Sequence, residues 1–204
     1  MPNTTLRPES VLVAAGRPPE PGAPLNPSIV LTASFRHDGT RAPYLRQDGN
    51  ETMHAFEQAM GQLEGGAALA FASGMAAVSA VTESRPAGAV IVAPDGGFSG
   101  TALLLRDYAR AGRGSVREVN VADTAAVTEA LVGADLLWVE TPANPLLEVA
   151  DLPALVAAAH RVGALICVDT TFATPLLLRP LEHGADLVMH SATKYLSGHS
   201  DLLM

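Results

Sequence analysis

The sequence has few basic residues, a single cysteine and no long apolar run, and each shortage excludes a class of function. Among 204 residues, 13 are basic and 21 acidic, so the formal net charge is -8. Such a chain offers no basic face for nucleic acid or anionic lipid. No run approaches the ~20 apolar residues of a membrane span. The polar N-terminus lacks the apolar core of a signal peptide, so we expect a cytoplasmic protein.

Cys167 is the only cysteine and lies in the apolar run 164–168. One cysteine cannot form an intrachain disulfide or a cysteine-rich metal site. No activating pattern surrounds the thiol, which favours a small buried hydrophobic side chain over a nucleophile. The six histidines show no spacing with carboxylates that indicates a metal. The sequence predicts neither a disulfide nor a metal site.

Lysine is the scarcest charged residue, because 12 of the 13 basic residues are arginine and only Lys194 is lysine. An arginine guanidinium stays protonated, whereas a lysine amine can lose its proton and attack an aldehyde. A chance survivor on the surface and a reactive amine both explain the count. Its position in the chain decides between them.

The first 45 residues differ from the rest, because five prolines between 18 and 27 interrupt regular helix. The sequence therefore predicts an extended arm over 1–45 and one large domain over 46–204. In the domain, predicted helices alternate with apolar runs that lack polar alternation, which is typical of a parallel sheet covered by helices on both faces. The predicted class is therefore α/β. The predicted helices are 51–63, 75–83, 100–111, 125–131 and 152–162, and the predicted strands are 67–72, 89–93, 116–121, 136–140, 165–169 and 186–190.

Ligands of such sheets bind beyond the carboxyl ends of the strands. Ser191, Thr193 and Lys194 follow the last predicted strand, where two hydroxyls can donate to a phosphate while the amine reaches an aldehyde. Asp169 ends another strand, and a carboxylate there can pair with a pyridinium nitrogen, although an aspartate in this place is often only structural. The turn 73–75 opens a helix and can present N–H groups to a phosphate. No G-x-G-x-x-G motif follows a strand, which counts against a dinucleotide site.

These residues belong to an ordered series of motifs that covers nearly the whole chain. The series is Tyr44-Leu-Arg46 with Gly49-Asn50, Leu63-Glu-Gly-Gly66, Ser73-Gly-Met75, Trp138-Val-Glu140, Pro142-Ala-Asn-Pro145, Val168-Asp-Thr-Thr-Phe172 and the block 190–201. It resembles the cystathionine γ-synthase and γ-lyase family, which uses pyridoxal 5'-phosphate (PLP) in cysteine and methionine metabolism. The closing block is its most specific part.

The resemblance implies the large domain of a fold-type-I PLP enzyme, a homodimer or homotetramer, and a small-molecule amino-acid substrate. It makes Lys194 the catalytic Schiff-base lysine and Asp169 the partner of the pyridinium nitrogen. Asn144 would lie beside the phenolic oxygen of the cofactor. Tyr44 and Arg46 match residues that are donated to the phosphate of the neighbouring subunit. The residues that match the phosphate cradle within the subunit are Gly74, Met75, Ser191 and Thr193.

The chain departs from the family pattern in two ways that affect function. Phe98 stands where a tyrosine usually stacks on the PLP ring, so it can stack but has no hydroxyl for proton transfer. Related enzymes continue beyond residue 204 into a smaller domain with a carboxylate-binding arginine. The resemblance therefore leads us to expect a domain truncated at its C-terminus.

The function implied is γ- or β-elimination or replacement on cystathionine, homoserine esters or related substrates in trans-sulfuration. An alternative is a truncated, non-catalytic homologue that binds PLP or a partner subunit. A nucleotide-binding domain of the doubly wound type would explain the sheet but leaves the block around Lys194 without a purpose.

Overall fold

The computed structural model describes residues 6–40 and 42–204, which divide into two compact units between Ala70 and Phe71. The helices of the first unit are α1 (Pro8–Ala14), α2 (Leu45–Asp48) and α3 (Glu51–Glu64). Asn50 caps α3, because its side chain accepts a hydrogen bond from the Met53 N–H, and α3 ends at Gly65 in the left-handed conformation. The predicted helix 51–63 is confirmed.

Helix α1 lies inside the segment that the sequence predicts to be an extended arm. Pro8 occupies its first turn, where proline is tolerated, and the prolines between 18 and 27 follow its end. The described residues from 17 to 43 contain no helix. Residues 1–5 and 41 of the predicted arm lie outside the described residues, and the boundary between arm and domain at 45/46 stays a prediction.

The second unit is an α/β structure with a five-stranded sheet. All four strand pairings are parallel, and the order is β2-β1-β3-β4-β5. A 3₁₀ helix covers Pro180–His183. The strands are β1 (Ala89–Pro94), β2 (Gly114–Val119), β3 (Leu136–Glu140), β4 (Leu165–Asp169) and β5 (Leu187–Met189), and the helices are α4 (Gly74–Glu83), α5 (Ser99–Arg110), α6 (Thr124–Ala130), α7 (Leu152–Val162) and α8 (Thr174–Leu177).

The predicted strand 67–72 is wrong, because these residues form no strand. Four of the six are alanine, which has little preference for strands. Leu69 is 78% exposed. The Ala70 N–H donates to the carboxylate of Glu57 on α3, at 2.9 Å, and not to a neighbouring strand. An apolar run becomes a strand only where a partner strand is available.

Successive side chains of the central strands enter two separate cores, which shows the three-layer arrangement. On one face, Leu137 and Val139 pack with Leu155 of α7 and with α6. On the other face, Trp138 packs with Val78 of α4 and with α5. Every residue of β3 is buried, as expected for a strand covered on both sides. The predicted α/β class is confirmed.

The order of the strands locates the crevice in which ligands of such sheets bind. From β1 the chain crosses to the edge strand β2, and it then returns to β3 on the other side of β1. Strand order reverses between β1 and β3, so their carboxyl ends open a crevice at the top of the sheet. Glu140 and Asp169 end β3 and β4 at this edge.

None of the helices within residues 6–40 and 42–204 has the length and apolar character that crossing a membrane requires.

Candidate cofactor site

Asp169 is a buried carboxylate at the carboxyl end of β4. The register of the sheet places it beside Glu140 of β3 and Met189 of β5. Its side chain accepts a hydrogen bond from the Thr171 N–H at 3.0 Å, and it is only 7% exposed. Burial raises the pKa of the Asp169 carboxyl, while Thr171 and His190 oppose that shift. A cation placed against this carboxylate would favour its charged form.

The turn after β5 holds the predicted amine and hydroxyls. The Ser191 N–H donates to the Thr171 hydroxyl at 2.9 Å, so Thr171 contacts both Asp169 and Ser191. Lys194 is exposed, and its backbone N–H donates to the Ser191 carbonyl at 3.1 Å. The Thr193 hydroxyl accepts from the Met204 N–H and donates to the Met204 carbonyl, both at 2.9 Å. The Ser191 hydroxyl also donates to the Met204 carbonyl, at 3.5 Å, so both hydroxyls are engaged by the backbone of Met204.

The N-terminus of α4 lies against this turn. A Cβ built on Gly74 would be 2.9 Å from the Cβ of Ser191, a distance that real Cβ atoms essentially never show, and 3.1 Å from its Oγ. Only glycine fits there without a shift of Ser191. Ser73 caps α4 by accepting from the Ala76 N–H at 3.1 Å. A helix N-terminus beside a hydroxyl offers the donors that a phosphate needs.

Phe98 and Met75 lie together at the start of α5. A Cβ built on Gly100 would be 2.6 Å from the Phe98 ring and 3.1 Å from the Met75 Sδ. Glycine at this position lets the ring and the thioether approach each other. Phe98 remains 40% exposed, so part of its ring is available to contact a ligand.

Glu140 joins Phe98 to Asn144, although the sequence predicts no role for it. Its Oε2 accepts from the Phe98 N–H at 2.6 Å, and its Oε1 accepts from the Asn144 N–H at 2.8 Å. The residue is 5% exposed. Burial raises the pKa of its carboxyl, the two N–H donors oppose that shift, and nearby Asp169 adds to it. The sequence offers two signals, its place at the end of a predicted strand and its place in the motif Trp138-Val-Glu140.

Tyr44 and Arg46 belong to the first unit, at the start of α2. Tyr44 pairs with Ser34 in an isolated antiparallel bridge and is 60% exposed. Arg46 is exposed. The second unit contains the other predicted residues, at the edge of the sheet formed by the carboxyl ends of its strands.

The donor set in the second unit fits PLP. A helix N-terminus at Gly74 suits a phosphate, and so do the hydroxyls of Ser191 and Thr193 once a phosphate replaces the Met204 carbonyl as their acceptor. The buried carboxylate of Asp169 suits a pyridinium nitrogen, and Lys194 provides an amine for the aldehyde. The tight contact at Gly74 is the observation that supports this fit, because a side chain there would fill the space between α4 and Ser191. A parallel α/β domain with this set of residues has the features of the PLP-dependent class.

Comparison with known proteins identifies the family. A family model described as "Cys/Met metabolism PLP-dependent enzyme" matches residues 9–204, and the chain belongs to that family. A putative cystathionine γ-lyase of Streptomyces coelicolor is 44% identical over 94% of this chain and 51% of that protein. A cystathionine γ-synthase of Mycobacterium tuberculosis is 38% identical over 96% of this chain and 53% of that protein. The predicted family and its cofactor are confirmed.

Solved structures agree with the sequence relatives. The crystal structure of cystathionine γ-synthase from Xanthomonas oryzae pv. oryzae, in complex with aminoacrylate and cysteine, matches with a TM-score of 0.91 at 35% identity. The match covers 98% of this chain and 54% of that one. The chain spans about half the length of the curated relatives it matches.

Proposed function

We propose that the protein is a PLP-dependent carbon–sulfur lyase or transferase of sulfur amino-acid metabolism. It would catalyse γ- or β-elimination or replacement on cystathionine, a homoserine ester or a related substrate. The observation that carries the proposal is the contact of Gly74 with Ser191, because these two residues, both predicted to bind the phosphate, meet at the turn that holds the only lysine of the sequence. Location in the cytoplasm belongs to the same proposal.

Each side chain of the site has one task in this proposal. When bound, PLP supplies an aldehyde for an amine and a ring that accepts electrons from the substrate. Lys194 would hold the cofactor through its amine and, once the substrate has released that amine, move protons at the substrate carbons. Asp169 would keep the ring nitrogen protonated, and Phe98 would stack on the ring without contributing a proton. Asn144 would contact the phenolic oxygen, and the phosphate would bind at Gly74, Met75, Ser191 and Thr193.

Product analysis tests the proposal. We expect the PLP-loaded protein to cleave cystathionine. Cleavage of the Cγ–S bond yields cysteine with 2-oxobutanoate and ammonia, whereas cleavage of the Cβ–S bond yields homocysteine with pyruvate and ammonia. A replacement enzyme would instead form cystathionine from a homoserine ester and cysteine, with release of the carboxylic acid of the ester. The three outcomes are separated by chromatography of the products, with Lys194→Arg as the inactive control. Bound PLP without turnover of any of these substrates would favour the non-catalytic alternative.

Two subunits would share each active site, because the family resemblance assigns Tyr44 and Arg46 to the phosphate of the neighbouring subunit. Their exposure in the first unit leaves both side chains accessible to a second copy. Oligomers of this kind have closed symmetry, so each subunit would donate to its partner and receive from it. A homodimer or homotetramer is therefore part of the proposal.

Mixing two inactive variants tests this sharing. A mixed dimer of Arg46→Ala and Lys194→Ala subunits would contain one site with both lesions and one intact site. Random mixing makes half of the dimers mixed, so we expect about one quarter of the native activity to return. Mixing Lys194→Ala with the double variant Arg46→Ala/Lys194→Ala is the control, because no intact site can form. Activity that stays at the level of the control would contradict donation between subunits.

A further inference from the structure

Glu140 is a buried acid that the proposed chemistry does not use. It ends β3 at the edge where strand order reverses, and it is enclosed between two loops. One loop leads from β1 to α5 and carries Phe98, and the other follows β3 and carries Asn144. The two residues are 42 and 4 positions from Glu140 in the sequence, yet the backbone N–H of each donates to its carboxylate.

The geometry selects a carboxylate at this position. The two oxygens accept from two different N–H groups, at 2.6 Å for Phe98 and 2.8 Å for Asn144. A glutamine has one acceptor oxygen and could satisfy only one of them. A Cβ built on Gly97 would be 2.7 Å from Oε2, so the absence of a side chain at Gly97 lets the carboxylate approach the loop. The loop before α5 is therefore shaped around Glu140.

Asp169, the neighbour of Glu140 in the sheet, indicates why backbone N–H groups stabilise the negative charge of Glu140. In the register of the sheet Glu140 lies beside Asp169, and both carboxylates are buried. Two such groups compete for any cation placed between them. The two N–H groups satisfy Glu140 without a cation. Asp169, which accepts from Thr171, is thereby left to face a cationic group of the ligand.

We infer that Glu140 is a positioning residue, whose carboxylate holds the loops of Phe98 and Asn144 together so that both side chains reach one cofactor ring. The inference rests on the proposed function, which places Phe98 on the face of the ring and Asn144 at its phenolic oxygen. Glu140 itself contacts neither substrate nor cofactor in this role. It acts through the two N–H groups that it accepts.

The first test needs no cofactor. In the PLP-free protein, hydrogen exchange of the Phe98 and Asn144 amides is followed by NMR in the native chain, in Glu140→Gln and in Glu140→Asp. We expect at least one of the two amides to exchange about tenfold faster in each variant, because the shorter or singly accepting side chain cannot satisfy both donors. Glu129→Gln is the matched control, because it removes the charge of an exposed glutamate elsewhere in the second unit.

The second test separates positioning from simple structural support. We expect Glu140→Gln to bind PLP about tenfold more weakly and to shift the absorption maximum of the bound cofactor, because the phenolic oxygen loses a fixed partner. Borohydride reduction of the PLP-loaded variant should still attach a pyridoxyl group to Lys194. Faster amide exchange with an unchanged absorption maximum would reduce Glu140 to a structural role, and native exchange in both variants would overturn the inference. Failure of the native protein to become labelled at Lys194 would count against the proposed function instead.

Discussion

Replacing Lys194 with arginine should abolish covalent attachment of PLP while leaving the charge of the site unchanged. A stable imine requires a primary amine, and Lys194 carries the only side-chain amine in the sequence. In a polypeptide of these 204 residues the other primary amine is the α-amino group at its N-terminus. We expect the native protein, incubated with PLP and reduced with borohydride, to carry one pyridoxyl group on the peptide that contains Lys194. The variant should carry none there.

A charge-matched control moves the only lysine elsewhere. The double variant Lys194→Arg/Arg110→Lys places an amine on the exposed end of α5, where Arg110 pairs with Asp107 on the surface. If the site and not the mere presence of an amine directs the reaction, the peptide that spans position 110 in this variant should take up far less label than the native Lys194 peptide at equal PLP. Mass spectrometry of the reduced proteins measures both. Label confined to the N-terminus of the native protein would contradict the assignment of Lys194.

Replacing Asp169 with asparagine should lower activity and raise the stability of the PLP-free protein. A contact pair of opposite charges interacts by roughly 4 kcal/mol at an effective dielectric constant near 20, before desolvation is subtracted. Loss of that pair would leave the ring nitrogen of PLP mostly unprotonated. We therefore expect turnover to fall by about 100-fold or more, with labelling of Lys194 retained.

The effect of Asp169→Asn on stability follows from the pKa of the buried carboxyl. Burial raises this pKa in the folded state, so the folded protein binds the proton more tightly than the unfolded chain does. The unfavourable contribution is absent below the unfolded pKa of ~3.9, grows as pH rises from there through the folded pKa, and is complete above it. Asparagine should therefore stabilise the PLP-free protein at neutral pH and have little effect in acid.

Thermal unfolding measures this difference. If the buried charge costs about 1 kcal/mol, the variant should melt roughly 2 to 4 °C higher at neutral pH in a chain of this size. The control is Asp107→Asn, which removes an exposed carboxylate whose ion pair with Arg110 contributes about 1 kcal/mol or less. An Asp169→Asn protein that melts lower than the native protein at neutral pH would show that the carboxylate stabilises the PLP-free fold.

The strands that were predicted most accurately are those buried on both faces. The predicted bounds of β3 and β4 and of helix α7 agree with the structure residue for residue, because continuous apolar runs are bounded there by polar residues and caps. The apolar run 67–72 also predicts a strand, but these residues form none. A strand needs a neighbouring strand to pair with, and composition does not reveal whether one is present. Helix α1 is absent from the prediction, because the prolines after it favour extended structure and the whole segment 1–45 is assigned to an extended arm.

Glu140 shows where prediction from the sequence stopped. Its position at a strand end was visible, but its partner Phe98 lies 42 residues away. Nothing in the spacing of the two residues connects them. The crossover from β2 to β3 brings the loop after β1 next to the end of β3, and only then does the carboxylate meet the Phe98 N–H.

The sequence by itself determined which chemistry was available, because residue types set it: one amine among 13 basic residues, hydroxyls next to that amine, and acids at the ends of apolar runs. The tertiary structure decided which of these groups meet. Parallel pairing aligned the ends of β3, β4 and β5, and close packing placed Gly74 against Ser191. Contacts of this kind depend on distances of a few tenths of an ångström between segments far apart in the chain, which no local pattern encodes.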